Sequence, residues 1–321
     1  MRELYPEIDC RQSTQIEVEG GHSLYIEETG NSDGIPVIFL HGGPGSGCNE
    51  NHRRYFDPDK YRIIIFDQRG CNRSSPQGSV DNNTTQYLLD DIERIRKYFN
   101  VESWLVFGGS WGATLALLYA ESFPERVLGL ITRGTFLARQ RDLDWFVGDG
   151  ANRVFPEYWQ EFINPVPEPE RNDFVNAYYQ RVHGDNADLR EKFARAWSDW
   201  ACRVVTWNLP DFDYEEEEEE GEEDIQKMIN EVTIETHYAV NRYFIRDNQI
   251  LDEIDKLPDV PICIIHGRRD MTCTLESSWL LHRSLPDSEF IIVPDGGHLA
   301  GEPPMTNALV SATDRMIDRL Q

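Results

Sequence analysis

Residues 101–120 read VESWLVFGGSWGATLALLYA, and the fold is decided there. Trp104 to Phe107 form a short apolar run that suits a buried strand. Gly108-Gly109-Ser110-Trp111-Gly112 follows, and Ala113, Ala116 and Ala120 then sit in a run of helix formers. Strand, G-x-S-x-G, helix is the order that lifts a serine hydroxyl clear of the top of a sheet. Glycines two residues before and two after the serine let strand and helix approach closely. The helix that follows turns the positive end of its dipole toward Ser110. An ordinary Gly-Ser turn would need neither the strand before it nor the small-residue helix behind it, so Ser110 is the candidate nucleophile.

The same punctuation recurs on both sides. Ile35 to Leu40 (IPVIFL) is a continuous apolar run that stops at His41-Gly42-Gly43-Pro44-Gly45. Tyr61 to Phe66 (YRIIIF) stops at Asp67-Gln68-Arg69-Gly70, and Val127 to Thr132 stops at Arg133-Gly134. Gln15 to Glu28 reads as two strands around Gly20-Gly21. Between strands, Thr84 to Phe99 places Leu88, Ile92, Ile95 and Phe99 on one helix face, with Thr84 as N-cap. Strands alternating with helices require right-handed crossovers and a mainly parallel sheet. Ligands of such sheets bind at the carboxyl ends of the strands. His41, Asp67, Ser110 and Arg133 should therefore share one rim.

After Phe136 the alternation ceases until about Arg246. Aromatic residues become dense, and Leu189, Phe193, Trp197, Trp200 and Val204 keep helical spacing. This pattern predicts a helical cap over 137–246, inserted into an α/β core made of 1–136 and 247–321. The aromatics read mainly as cap core, with some lining a pocket. Asp211 to Asp224 holds 11 acids and no base, so it reads as a solvated, self-repelling loop. From Ile225 to Tyr243 a helix face carries Met228, Val232, Glu235 and Ala239. Periodicity leaves two placements open for Glu235: a stripe edge facing water, or a carboxylate aimed into the cleft between cap and core. The α/β pattern resumes at Val260 to His266 and ends with Glu289 to Val293 and a final helix.

With 321 residues the chain can build one large α/β domain plus an inserted smaller one. Its net charge of −26 argues against nucleic-acid or anionic-membrane partners and favours cationic ligands. No apolar stretch reaches the ~18 residues that span a bilayer, and the N-terminus carries no signal-peptide apolar region. Six scattered cysteines without a C-x-x-C fit reduced thiols in the cytoplasm. No metal or dinucleotide fingerprint is present, so neither metal nor cofactor is expected.

A serine needs a base, and the base needs an acid to fix its tautomer and stabilise its cation. His298 follows the last apolar strand in a Gly-Gly loop, and Asp270 follows the strand before it. Asp67 is a weaker acid candidate, since it precedes the nucleophile and has Arg69 as a ready structural partner. Asp295 reads as a turn cap, His266 as packed at the end of its strand, and His41 as a loop brace. For the oxyanion hole, the amides of Trp111 and of Gly43 in the HGGPG loop are the candidates.

HGGPG (41–45), DQRGCNRS (67–74), GGSWGATLAL (108–117), GRRDMTC (267–273) and GGH (296–298) together resemble the prolyl aminopeptidase (proline iminopeptidase) family of α/β-hydrolases. The resemblance runs the length of the chain, including RGTFLARQRDLDWF (133–146). It implies a cytoplasmic serine aminopeptidase that releases proline from short peptides with a free N-terminus. The family's I-E-x-H-Y motif survives as Ile234 to Tyr238, which implies that Glu235 binds the substrate amine. The resemblance also implies a brace for that carboxylate at Arg133 and a ring-packing role for Phe136. Two positions depart from the family: Ala201 replaces the acid after Trp197-Ser198-Asp199-Trp200, and Val147 replaces a tyrosine. An esterase or amidase on small neutral substrates is the rival expectation, and a hydrolase-fold binding protein without turnover is the remoter one.

Overall fold

The computed structural model describes residues 1–209 and 221–320. Eight strands form one sheet: β1 (Gln12–Val18), β2 (His22–Gly30), β3 (Ile35–Leu40), β4 (Tyr61–Phe66), β5 (Trp104–Gly109), β6 (Val127–Arg133), β7 (Ile262–Gly267) and β8 (Glu289–Val293). Their order across the sheet is β1-β2-β4-β3-β5-β6-β7-β8. The first two pairings, β1 with β2 and β2 with β4, are antiparallel, and every later pairing is parallel. Central parallel strands are covered on both faces, which is why β3, β4 and β5 read as unbroken apolar runs rather than alternating ones. Ile38, Ile64 and Val106 pack toward one face, and Val37, Ile63 and Leu105 toward the other.

The core helices are α1 (Thr85–Tyr98) and α2 (Trp111–Ser122) on the first face and α10 (Pro303–Leu320) on the second. Thr84 is the N-cap of α1 by position, but its side chain makes no capping hydrogen bond. Helix α2 is buried from Trp111 to Glu121. Two glycines permit that depth. A Cβ on Gly108 would strike the Gly112 carbonyl, and one on Gly112 would strike the Leu40 carbonyl.

Between β6 and β7 the described residues contain helices and turns and no strand. They form α3 (Gln140–Val147), α4 (Pro156–Ile163), α5 (Phe174–Val182), α6 (Ala187–Thr206), α7 (Glu222–Val240) and the short α8 (Gln249–Asp252). Helix α9 (Leu275–Ser284) follows β7. Phe162 stacks on Tyr178 with ring centroids 4.5 Å apart, and Trp159, Trp197 and Trp200 close around them. Leu189 is instead exposed, near the start of α6, so helical spacing alone overcounts that core. Helix α7 lies against the sheet side as well as its neighbours: Tyr238 donates to Asn83 at 2.8 Å and packs on Trp111.

The acidic run is corrected at one end. Residues 211–220 lie outside the described residues, but Glu222, Glu223 and Asp224 form the first turn of α7 rather than a loop. Three carboxylates at a helix N-terminus oppose the positive end of its dipole, which offsets their mutual repulsion.

Candidate active site

Strand β5 ends at Gly109 and α2 begins at Trp111, so Ser110 alone makes the turn. Its φ of 57° and ψ of −122° are costly for a residue with a Cβ. Three backbone bonds hold it there: its amide donates to the Arg133 carbonyl at 2.9 Å, and its carbonyl accepts from Ala113 at 2.9 Å and from Thr114 at 3.4 Å. The side chain is left at the rim.

Asp270 and His298 come from the loops after β7 and β8. Asp270 Oδ1 accepts from the amides of Thr272 at 3.0 Å and Cys273 at 2.8 Å. Its Oδ2 accepts from His298 Nδ1 at 2.8 Å. That bond puts the imidazole proton on Nδ1 and leaves Nε2 as the acceptor. Burial pushes the Asp270 carboxyl up, but the His298 charge and hydrogen bond, with His266 and the Cys273 amide, outweigh it and hold the carboxyl below its ordinary value. Gly134, at a φ of 53°, underlies the pair; a Cβ there would sit 3.2 Å from Asp270 Oδ2.

Ser110 Oγ and His298 Nε2 line one cavity without being hydrogen-bonded to each other. Oγ lies 3.9 Å from Cys273 Sγ, and Arg133 Nη1 lies 3.5 Å from Nε2.

The cavity has a volume of about 770 Å3, in the range that holds a small ligand. Gly43 lines it at a φ of 104°, and its amide donates to no acceptor among the described residues. The Trp111 amide is the first of α2, where no preceding turn supplies a carbonyl. Both candidate oxyanion donors are thus uncommitted at the rim.

Glu235 projects from α7 into the same cavity. Its Oε2 accepts from Trp197 Nε1 at 2.6 Å. Burial raises its carboxyl to about 7, against the Trp197 hydrogen bond and with help from the Glu231 charge one turn earlier. No lysine or arginine pairs with it among the described residues. The brace expected from Arg133 is therefore absent. The Arg133 guanidinium packs over Gly109, where a glycine leaves room, and Nη1 donates to the His298 carbonyl at 2.7 Å. Phe136 lines the cavity edge-on to Tyr243, with centroids 4.9 Å apart. Ala201 lines it too, whereas Val147 is buried outside it.

The remaining candidates resolve by their partners. Asp67 is buried and pairs with Arg73 at 2.7 Å, not with Arg69, whose partner is Asp91 at 2.6 Å. His41 is buried and ties its own loop to the next: its Nε2 accepts from the Gln68 amide at 3.0 Å and its Nδ1 bonds the Gly42 carbonyl at 2.9 Å. His266 lies between Ser278 Oγ and the Cys273 carbonyl. Asp295 pairs on the surface with Arg269 at 2.6 Å.

Three cavity residues carried no sequence expectation of their role. Trp197 holds Glu235, as above. His52 stacks on Phe39 with centroids 4.5 Å apart, and burial pushes its imidazole down to about 3, so it is neutral. Glu302 accepts from the amides on both sides of His298. Only Glu302 left a signal, an acid just before the Pro303-Pro304 start of a helix. Among the described residues no group of three or more His, Cys, Asp or Glu side chains is placed to hold a metal ion. No helix among them is long and apolar enough to cross a membrane.

Residues 35–303 match the family model described as alpha/beta hydrolase fold. The chain is 43% identical to a probable proline iminopeptidase of Leptolyngbya boryana, over 99% of this chain and 98% of that one. It is 42% identical to the proline iminopeptidase of Arabidopsis thaliana, over 98% and 82% of the two chains. Among solved structures, the proline iminopeptidase of Mycobacterium smegmatis superposes with a TM-score of 0.63 at 18% identity, over 96% and 98% of the chains. An esterase from Rhodococcus sp. ECU1013 superposes with a TM-score of 0.59 at 18% identity, over 98% and 100%. At such identities the structural likeness speaks for the fold, and the sequence likeness is what narrows it: the chain belongs to the proline iminopeptidase family of α/β hydrolases.

Proposed function

We propose that this chain is a serine aminopeptidase that releases N-terminal proline from short peptides. The observation that carries the substrate reading is Glu235, a carboxylate without a cationic partner among the described residues, in the same cavity as Ser110. An ammonium taken out of water is costly unless paired, so a site for free N-termini must present such a group. Phe136 packs the pyrrolidine ring, and the neutral side chains of His52 and Tyr55 line the same cavity.

Ser110 Oγ attacks the carbonyl carbon of the first residue while His298 Nε2 takes its proton. Asp270 stabilises the resulting imidazolium. The Gly43 and Trp111 amides hold the oxyanion. The C–N bond breaks as His298 returns the proton to the leaving amine. Water then gives a proton to His298 and attacks the ester carbonyl, and the acyl C–O bond breaks as His298 returns the proton to Ser110 Oγ, freeing proline and the serine. Arg133 serves this cycle by fixing the His298 loop rather than by bracing Glu235. We read the chain as a core of 1–136 and 247–321 and a cap of 137–246 with the cleft between them, a reading supported by a cavity lined from both stretches. Six cysteines without a disulfide fit the cytoplasm.

A second reading, an esterase or amidase for neutral substrates, draws on Ala201, which offers no second carboxylate to an amine. A panel of amino-acid arylamides and simple esters separates the two. Proline arylamide with a free amine should be the best substrate by at least tenfold in kcat/KM; an N-acylated proline ester turned over equally well would overturn the aminopeptidase reading.

A further inference from the structure

The loop that carries His298 hangs from one carboxylate. Glu302 is buried at 5% exposure. Its Oε2 accepts from the Gly297 amide at 2.7 Å, and its Oε1 accepts from the Leu299 amide at 3.0 Å. The two amides flanking the candidate base thus end on one side chain, so the backbone on either side of His298 cannot rotate independently. Hydrogen bonds to an ionised acceptor are roughly twice as strong as neutral ones. No lysine or arginine pairs with Glu302 among the described residues, so these dipoles and the start of α10 are what balance its charge. Thr306 donates to the Glu302 carbonyl at 2.8 Å, which makes Glu302 the residue that caps α10, where negative charge is favoured.

A third donor reaches the same carboxylate from far along the chain. Asn208 Nδ2, just beyond α6, donates to Glu302 Oε2 at 2.9 Å. Its neighbour Trp207 donates Nε1 to the carbonyl of Arg269 at 2.8 Å, one residue before Asp270. The end of α6 therefore touches the acid loop through Trp207 and the base loop through Asn208 and Glu302. Gly297 makes room for this meeting: a Cβ there would collide with both Asn208 Oδ1 and Glu302 Oε1. The amide of Asn208 cannot be turned over, because its oxygen would then face the carboxylate. Helix α6 also carries Trp197, the donor to Glu235. One helix thus spans from the candidate amine site to the loops of the candidate acid and base.

We infer that Glu302 is a positioning residue for His298, and that Asn208 couples that position to the seating of α6. This rests on the triad assignment above, and it does not depend on proline as substrate. A carboxylate with two acceptor oxygens can hold both loop amides; a glutamine can hold only one, because its other end is a donor. Displacements well under an ångström in a catalytic group are enough to change rates by large factors.

The test uses the full-length protein and a fluorophosphonate, which reports the Ser110–His298 pair whatever the natural substrate. The labelling rate, its pH profile, the thermal midpoint, and kcat and KM on proline arylamide are measured for Glu302→Gln, Asn208→Ala and the double variant. Ser110→Ala serves as control, and residual labelling there would remove the triad assignment rather than the present inference. Glu302→Gln should slow labelling and kcat by about tenfold or more with KM within about twofold. Asn208→Ala should give a smaller loss in the same direction, and should add little once Glu302 is already glutamine. A folded Glu302→Gln that labels at the wild-type rate overturns the proposal. If Glu302→Gln does not fold, Asn208→Ala decides alone: a slower rate at unchanged KM supports the coupling, and a wild-type rate overturns it.

Discussion

At the scale of single residues, the candidate machinery separates into groups fixed by short hydrogen bonds and one side chain, that of Ser110, held only by a weak contact to Cys273 Sγ at 3.9 Å. Asp270 and His298 are locked by five hydrogen bonds between them, nearby loop amides and Glu302. Ser110 is fixed in its backbone and loose in its side chain. Ser110→Ala removes one hydroxyl from a half-buried position, so it should keep the wild-type circular dichroism while kcat falls about 10³–10⁶-fold. A purified variant with a tenth of the wild-type rate would displace Ser110 from its role. Glu235 gives the sharper forecast. Its carboxyl is raised to about 7, so it becomes the charged amine-binding form only as pH rises through that value. The ratio of kcat/KM for proline arylamide to kcat/KM for an ester lacking the amine cancels the common machinery. That ratio should rise through about pH 7 and hold until the substrate amine loses its own proton. Glu235→Gln should flatten the ratio and cost the amine substrate roughly 2–4 kcal/mol, leaving the ester nearly unchanged. Equal losses on both substrates would assign Glu235 a structural part.

At the scale of elements, what was legible in the sequence is what depends on local pattern. The runs at 35–40, 61–66 and 104–109 are strands because a doubly covered parallel sheet accepts apolar side chains on both faces. Ser110, Asp270 and His298 follow three such strands, so their meeting was readable from strand ends. What local pattern does not carry is the partner of a long side chain. Arg69 adjoins Asp67 in sequence yet reaches Asp91, and Arg73 takes Asp67 instead. Arg133 points to a loop that the chain builds much later. Periodicity left Glu235 between water and cleft, and the choice is made by α6, whose Trp197 meets it across the helix pair. That pairing has its own consequence. The Trp197 hydrogen bond lowers the Glu235 carboxyl against its burial. Trp197→Phe removes the donor, so the midpoint of the substrate ratio should move above 7. The smaller ring should also lower stability by roughly 1–3 kcal/mol, since it leaves space among Phe146, Phe162 and Tyr178. A midpoint that stays put while the protein remains folded would mean that α6 does not tune Glu235.

At the scale of the whole molecule, a chain of net charge −26 has buried several carboxylates that form no salt bridge among the described residues. Glu121 is the extreme case. It lies on the buried face of α2, its Oε1 has no hydrogen-bond partner among the described residues, and burial, with the Glu253 charge, raises its carboxyl to about 8 despite Lys256. Glu231 and Glu235 are raised to about 7, again chiefly by burial. The ordinary value of 4.5 applies to the unfolded chain. Between 4.5 and these raised values the folded chain holds protons that the unfolded chain has released. Stability therefore falls as pH rises across that window, and is highest toward its acid end as far as these three groups are concerned. Glu121→Gln removes the largest of the penalties without changing the shape of the side chain, and it touches no part of the cavity. At about pH 4, below the ordinary value, the glutamic acid is neutral in the folded chain and mostly neutral in the unfolded one, so the variant and the wild type should melt within about a degree of each other. At pH 8.5 the wild type has had to ionise a buried group, and the variant should melt several degrees higher, since about 1 kcal/mol corresponds to roughly 2–4 °C in a chain of this size. Calorimetry at the two pH values checks it. A gain of equal size at both would trace the effect to packing around α2, and would leave the uncompensated charge of Glu121 without energetic weight.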